Sequence, residues 1–322
     1  MQEATVVSAT QAVRLLHNQS MSQPSDAERP SLAYFIVDVF TETALAGNPL
    51  AVVMDTVGLP TERMQAIARE FNLSETSFIQ RRAASVERAE GVRVRIFTTE
   101  EELQFAGHPT LGTATVLRLH APETIQEGTV TLALNVGPVP VRLAADRLFG
   151  EMTQADPEFG EELDPAVVAR LTGLRSEDLY PALPPQVVST GTAFAIVGLR
   201  SASALERLRV MQQEASPWLR AHGARWFYVL GSTGQREPAW RARMQFYGGE
   251  DPATGSAAGC AISYLVARGA VASQQQILLE QGVEIGRTSH LYLCATRKGA
   301  RVTDVRVGGS TVPVANGRIF LP

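Results

Sequence analysis

Three residues able to carry a proton stand beside turns in this sequence. They are Glu75 in Asn72-Leu73-Ser74-Glu75-Thr76, His108 in Ala106-Gly107-His108-Pro109, and Asp251 in Glu250-Asp251-Pro252-Ala253-Thr254-Gly255-Ser256. Residues at the ends of strands and helices are where site chemistry concentrates. A carboxylate or imidazole there becomes a general acid or base once burial moves its pKa. Two of the three border a small-residue helix start, at Gly107 and at Gly255-Ser256. The first amides of a helix lack internal partners and carry the positive end of its dipole, so a buried start grips a carboxylate or stabilises an oxyanion. The combination points to proton transfer on a small acid. Each residue also has a plainer reading: Glu75 as a solvated carboxylate, His108 as a helix cap, Asp251 as a turn former before Pro252. Asn48 in Gly47-Asn48-Pro49 reads as turn chemistry, and Cys260 and Cys294 as packing residues.

The elements that position these groups follow from periodicity. Tyr34–Phe40 and Leu50–Met54 read as strands, Thr61 as the N-cap of a helix with Met64, Ile67, Ala68 and Phe71 on one face, and Thr76–Gln80 as a strand. Val92–Phe97 alternates apolar and basic residues with the period of two of a half-buried strand. A nearly uncharged helix then opens at Gly107, with Pro109 in its first turn. The second half repeats this order: strand Ala193–Val197, helix Ser203 to about Gln213, strand Trp226–Leu230, alternating strand Arg241–Phe246, and a helix without charge from Gly255 to Arg268. An internal duplication is predicted, with Ala106-Gly107-His108 matching Thr254-Gly255-Ser256 and the two helix starts facing each other across a cleft. Gly128–Leu143 reads as paired strands. Val312–Leu321, with Asn316-Gly317 at its centre, reads as a hairpin returning to the first half.

Composition bounds the rest. With 322 residues, 45% hydrophobic and 19% charged, and a net charge of −4, the chain is long enough for two domains and has no basic field for nucleic acid or anionic membrane. Two cysteines and five scattered histidines make neither a disulfide framework nor a metal cluster. No G-x-G-x-x-G or Walker motif is present, so neither a metal nor an organic cofactor is expected. The absence of an apolar run long enough for a membrane helix, and of a signal-peptide pattern around Ala12–Leu16, leads us to expect a cytoplasmic protein. Residues 1–30 read as a polar extension with one or two helical turns around Thr10–His17.

Five collinear blocks resemble the signatures of the PhzF-like phenazine biosynthesis family: Asp38-Val39-Phe40, Gly47–Val53, Asn72–Thr76, Glu102–Gly112 and Glu250–Ala257. The resemblance implies the diaminopimelate epimerase-like fold, an α/β (α+β) architecture of two pseudo-symmetric domains, each a curled mixed sheet around a central helix. The expected division is 31–146, completed by 310–322, and 147–309. It further implies cofactor-independent isomerisation of trans-2,3-dihydro-3-hydroxyanthranilate, in which one glutamate removes a proton and returns it two atoms along. Carried over by position, that glutamate is Glu75, His108 and Asp251 support it, and Gly107, Gly255, Ser256 and Thr254 hold the substrate. Related two-base racemases place a cysteine at each helix start, where this chain has Ala106 and Thr254. Gln104 and Thr99 stand where the family commonly has proline. A homodimer is expected from the resemblance alone. The alternatives are isomerisation or epimerisation of another small amino or hydroxy acid, and a non-catalytic binding or scaffold protein that keeps the fold.

Overall fold

The computed structural model describes residues 29–246 and 249–321; the helical turns expected around Thr10–His17 lie outside them. Ser31–Val39 pairs antiparallel with Asn48–Val53, which runs parallel to Glu75–Gln80. Val92–Phe97, Thr129–Leu134, Gly137–Leu143 and Phe149–Gln154 follow in the sheet. The long strand Arg301–Phe320 then closes eight strands into a barrel by pairing with both Phe149–Gln154 and Ser31–Val39. Over residues 301–308 the same strand joins Ser289–Lys298, and the sheet continues through Ile277–Gln281, Trp240–Arg243, Trp226–Ser232, Ala193–Leu199, Gln186–Ser189 and Glu158–Glu162. One 20-residue strand therefore stitches the two curled halves together.

Each half packs against a helix of small and apolar residues. Gly107–His120 is buried from Gly107 through Leu117, and Gly255–Ala267 is buried almost throughout, Ser256 and Ala267 excepted. Residues that offer no polar face leave a helix stable only where strands surround it.

The expected repeat is visible in ion pairs as well as in element order. Arg95 clasps Glu102 through Nε–Oε1 at 2.8 Å and Nη2–Oε2 at 2.5 Å, and Arg243 clasps Glu250 through the same atoms at the same distances. Arg95, Glu102 and Gly107 each recur 148 residues later, as Arg243, Glu250 and Gly255. The planar guanidinium makes two parallel bonds to a carboxylate, so each pair fixes the short hairpin that delivers the chain to a helix start. As a result the two starts meet: a Cβ on Gly107 would lie 2.8 Å from Gly255 Cα and 2.9 Å from Ser256 N.

Several local expectations are corrected. Pro60 is the N-cap of Thr61–Phe71, and Thr61 is its first helical residue. The helix expected over Ser203–Gln213 is instead a 3-10 segment, Ala202–Arg207, and a later helix, Gln212–Ala221. The reason is competition: the amides of Arg209 and Met211 donate to Thr172 O and Leu171 O at the end of helix Pro165–Thr172. Arg241–Phe246 is divided, since Trp240–Arg243 stays in the main sheet while Gln245–Phe246 pairs with Gly249–Glu250. Val312–Leu321 returns to the first half without a hairpin. Asn316 and Gly317 sit in mid-strand opposite Phe35 and Tyr34, where Gly317 leaves room for the Tyr34 ring.

The glycine contact is testable. Gly107→Ala drives a methyl into backbone atoms that have no flexible end to move aside, and the expected loss is about 1–3 kcal/mol in urea-unfolding free energy.

Candidate functional site

Glu75 is the first residue of its strand and lies opposite Leu50 in the parallel pair. His108 is the second residue of its helix. It does not cap it, because the N-cap is Ala106 and makes no side-chain bond. Asp251 follows the Gln245–Phe246/Gly249–Glu250 hairpin and is held by its own amide donating to Met244 O at 2.9 Å. These three residues, far apart in sequence, converge. His108 Nε2 lies 3.3 Å from Glu75 Oε2, and Asn48 links the other two, with Nδ2 2.7 Å from Asp251 Oδ1 and 3.2 Å from His108 Nδ1.

Asn48 is thus a correction to the sequence reading. It is fully buried and its amide also donates to Ala253 O at 2.9 Å, so it ties the first half to the loop that opens the second helix. Its orientation is fixed, since the reversed amide would set an oxygen against the Asp251 carboxylate and the Ala253 carbonyl. An amide nitrogen cannot accept, so the facing His108 Nδ1 carries no proton and the imidazole hydrogen sits on Nε2, toward Glu75. The signal available in the sequence was an amide immediately before a wholly apolar strand.

Burial sets the charges. It pushes Glu75 up to about 8, with the neighbouring Asp251 carboxylate adding to the shift and Arg225 opposing it. Asp251 is raised to about 6 by the same desolvation, against donors from Thr254 and Asn48. His108 is lowered to about 3 by burial and is neutral at ordinary pH. Glu75 Oε2 and His108 Nε2 are buried without a well-aligned hydrogen-bond partner among the described residues. Even so, the Glu75 side chain as a whole is 17% exposed, and that exposure opens into a cavity.

The cavity has a volume of about 220 Å³ and lies between the halves. Larger hollows exist, including one of about 550 Å³ near Tyr180 and Arg200, but they are not lined by the buried acids. Here Glu75, Asp251, Thr254 and Ser256 line one region, and Phe105, Phe194, Trp226 and Phe246 supply aromatic wall. Arg225 stands at the rim, 4.2 Å above the Trp226 ring and paired with Glu101 of the other half at 2.6 Å. Gly107 and Gly255 serve differently from Thr254 and Ser256: their missing side chains let the two helix starts touch beside the acids. Behind them two buried amides brace the second helix. Gln154 Nε2 donates to Gly255 O at 2.9 Å, and Gln281 binds Thr254 through both ends of its side chain. Neither glutamine, nor Arg225, stood out in the sequence, because a lone amide in a strand or a lone arginine before one carries no spacing pattern. Among the described residues no group of three or more His, Cys, Asp and Glu is placed to hold a metal ion.

Comparison with known proteins agrees with this geometry. The family described as phenazine biosynthesis-like protein matches residues 37–317. The trans-2,3-dihydro-3-hydroxyanthranilate isomerase of Pseudomonas aeruginosa is 37% identical over 298 residues, covering 89% of this chain and 99% of that protein. An uncharacterised isomerase of Mesorhizobium japonicum is 36% identical over 304 residues, covering 89% and 98%. A Bacillus anthracis phenazine biosynthesis protein of the PhzF family superposes with a TM-score of 0.80 at 25% identity, over 91% of this chain and all of that one. The curled halves around central helices are therefore the epimerase-like fold expected from the resemblance, and the chain belongs to the family of phenazine biosynthesis-like proteins as an isomerase.

Proposed function

We propose that this isomerase shifts a proton between two carbons of a small cyclic carboxylate, using Glu75 alone as acid and base and no cofactor. The observation that carries the reading is Glu75 itself: a carboxyl group raised to about 8, 3.3 Å from a neutral histidine, at the wall of the cavity between the halves. With a pKa near neutrality both protonation states are accessible, which a group that first removes and then returns a proton requires. The neutral His108 imidazole flanks the Glu75 carboxyl group, with Nε2 3.3 Å from Oε2. As the proton leaves the carbon bearing the substrate carboxylate, negative charge spreads onto that carboxylate. The amides at the Gly107 and Gly255-Ser256 starts, with the Ser256 hydroxyl, stabilise it there, while the Thr254 hydroxyl donates to Asp251. Glu75, now protonated, delivers the proton two atoms along.

Cavity size and chemistry support a single small ring. A volume of about 220 Å³ falls below the roughly 300–1,000 Å³ of pockets for drug-sized ligands, and the aromatic walls suit a flat face. trans-2,3-Dihydro-3-hydroxyanthranilate, the compound in the name of the Pseudomonas relative, is the first candidate. Another small amino or hydroxy acid is the second, because the Mesorhizobium isomerase, almost equally similar, has no substrate in its name. The same reading takes the chain as a cytoplasmic homodimer whose two domains are 31–146 with 310–322, and 147–309.

Incubation with dihydrohydroxyanthranilate in deuterated water is expected to give product carrying deuterium at the protonated carbon. A folded sample giving neither product nor label rejects that substrate and turns the search to solvent exchange across other small acids. Glu75→Gln is expected to lower turnover at least about 100-fold, the scale of acid–base catalysis; activity kept in that variant removes Glu75 from the role.

Stability carries an independent signature. Between pH 4.5 and about 8 the folded chain retains a proton on Glu75 that the unfolded chain releases. The folded state binds more protons in this window, so the contribution of Glu75 to stability is lost as pH rises through it. Glu75→Gln escapes this loss. Its unfolding free energy is expected to match wild type near pH 4.5 and to exceed it by on the order of 3 kcal/mol at pH 8. Denaturant titrations across that range measure the gap, and a gap independent of pH contradicts the assignment.

A further inference from the structure

Gln281 lines no part of the cavity, yet it is 1% exposed and all four of its hydrogen-bonding positions are used. Oε1 accepts from the Thr254 amide at 3.1 Å and from the Tyr228 hydroxyl at 2.9 Å. Nε2 donates to Asp251 O at 2.8 Å and to Thr254 Oγ1 at 3.0 Å. The backbone amide of Thr254 can only donate, so the amide of Gln281 cannot be reversed. Thr254 Oγ1 then already accepts a hydrogen from Gln281, and its single hydrogen must go elsewhere. Its remaining neighbour is Asp251 Oδ2, at 2.7 Å. Oδ1 of the same carboxylate accepts from Asn48 at 2.7 Å. Both oxygens of Asp251 are thus held as acceptors, which suits a carboxylate; a protonated Asp251 would have to place its own hydrogen where both facing groups already donate.

We propose that Gln281 is a positioning residue that decides which of the two facing carboxyl groups carries the proton. By fixing the Thr254 hydroxyl onto Asp251 it keeps Asp251 an anion and leaves the proton to Glu75. This rests on the reading of Glu75 as the proton carrier and goes beyond it by giving a reason why the neighbouring acid is not the carrier. Like charges at a shared site cannot both form cheaply, so whichever carboxyl has the better donors ionises first and raises the other. Asp251 has two side-chain donors and Glu75 has only the edge of His108. The groups facing the pair are few. Arg225 acts on Glu75 from just before strand Trp226–Ser232 and His108 flanks it, the buried Tyr228 hydroxyl and Glu250 act on Asp251, and Glu100 and Glu101 line the same cavity.

The test needs no substrate, so it is separate from whether the proposed reaction is right. The Glu75 carboxyl is followed by ¹³C NMR of glutamate-labelled full-length protein across pH, its resonance assigned by its absence in Glu75→Gln. In Gln281→Leu the Thr254 hydroxyl is free to turn away, Asp251 protonates more readily, and the Glu75 midpoint is expected to fall by up to about one pH unit, the worth of the charge-assisted hydrogen bond lost at Asp251. Thr254→Val removes the same donor directly and is expected to shift the midpoint the same way; it carries the test if Gln281→Leu does not fold. Tyr264→Phe removes another buried hydroxyl, bonded to Pro184 O at 2.7 Å, and is expected to leave the midpoint in place. A folded Gln281→Leu or Thr254→Val with an unchanged or raised Glu75 midpoint overturns the proposal, as does an equal fall in Tyr264→Phe.

Discussion

Two helix starts of the same polarity are pressed against each other at Gly107 and Gly255, and the rest of the structure follows from holding them there. Each brings a positive dipole end and unpaired amides into a region of low dielectric. Such a junction is unfavourable without compensating negative charge, and the Asp251 carboxylate lies beside it. A substrate carboxylate placed in the cavity adds to that compensation. The same feature that makes the contact costly suits it to an anion.

Holding the junction requires rigidity from both sides. The barrel and the curled sheet share the strand Arg301–Phe320, so neither half moves freely along that edge. Arg95–Glu102 and Arg243–Glu250 fix the approach to each helix. The second pair is the more enclosed, with side-chain exposures of 6% and 7%, and it stands directly before Asp251. Buried pairs of this kind are weak sources of net stability, yet removing one partner is severe, which suits them to fixing geometry.

Pseudo-symmetry is kept in the scaffold and broken in the chemistry. At the repeat offset, Asp251 stands where the first half has Leu103, Thr254 where it has Ala106, and Ser256 where it has His108. One half therefore supplies Glu75 and a neutral imidazole, and the other supplies Asp251 and hydroxyls. Asn48 crosses between them, so the electrostatic state of each half depends on the other. A duplicated fold gives two similar walls, and substitution at three positions makes them unequal.

The sequence alone determined the central helices, the duplicated order of elements and three of the polar groups, because these are written in local periodicity, in glycine and proline placement, and in collinear motifs. It misjudged Asn48, Asn316-Gly317 and Ser203–Gln213, each for the same reason. A turn-forming pair becomes mid-strand when Tyr34 and Phe35 lie opposite, and a helix is cut short when distant carbonyls at Leu171 and Thr172 take its amides. Only the tertiary structure decided that Asn48 faces Asp251 and His108, that Gln281 braces Thr254, and that Glu75 is enclosed. Those facts depend on contacts spanning up to 203 residues, and a shift in proton affinity arises from desolvation, which no stretch of sequence contains.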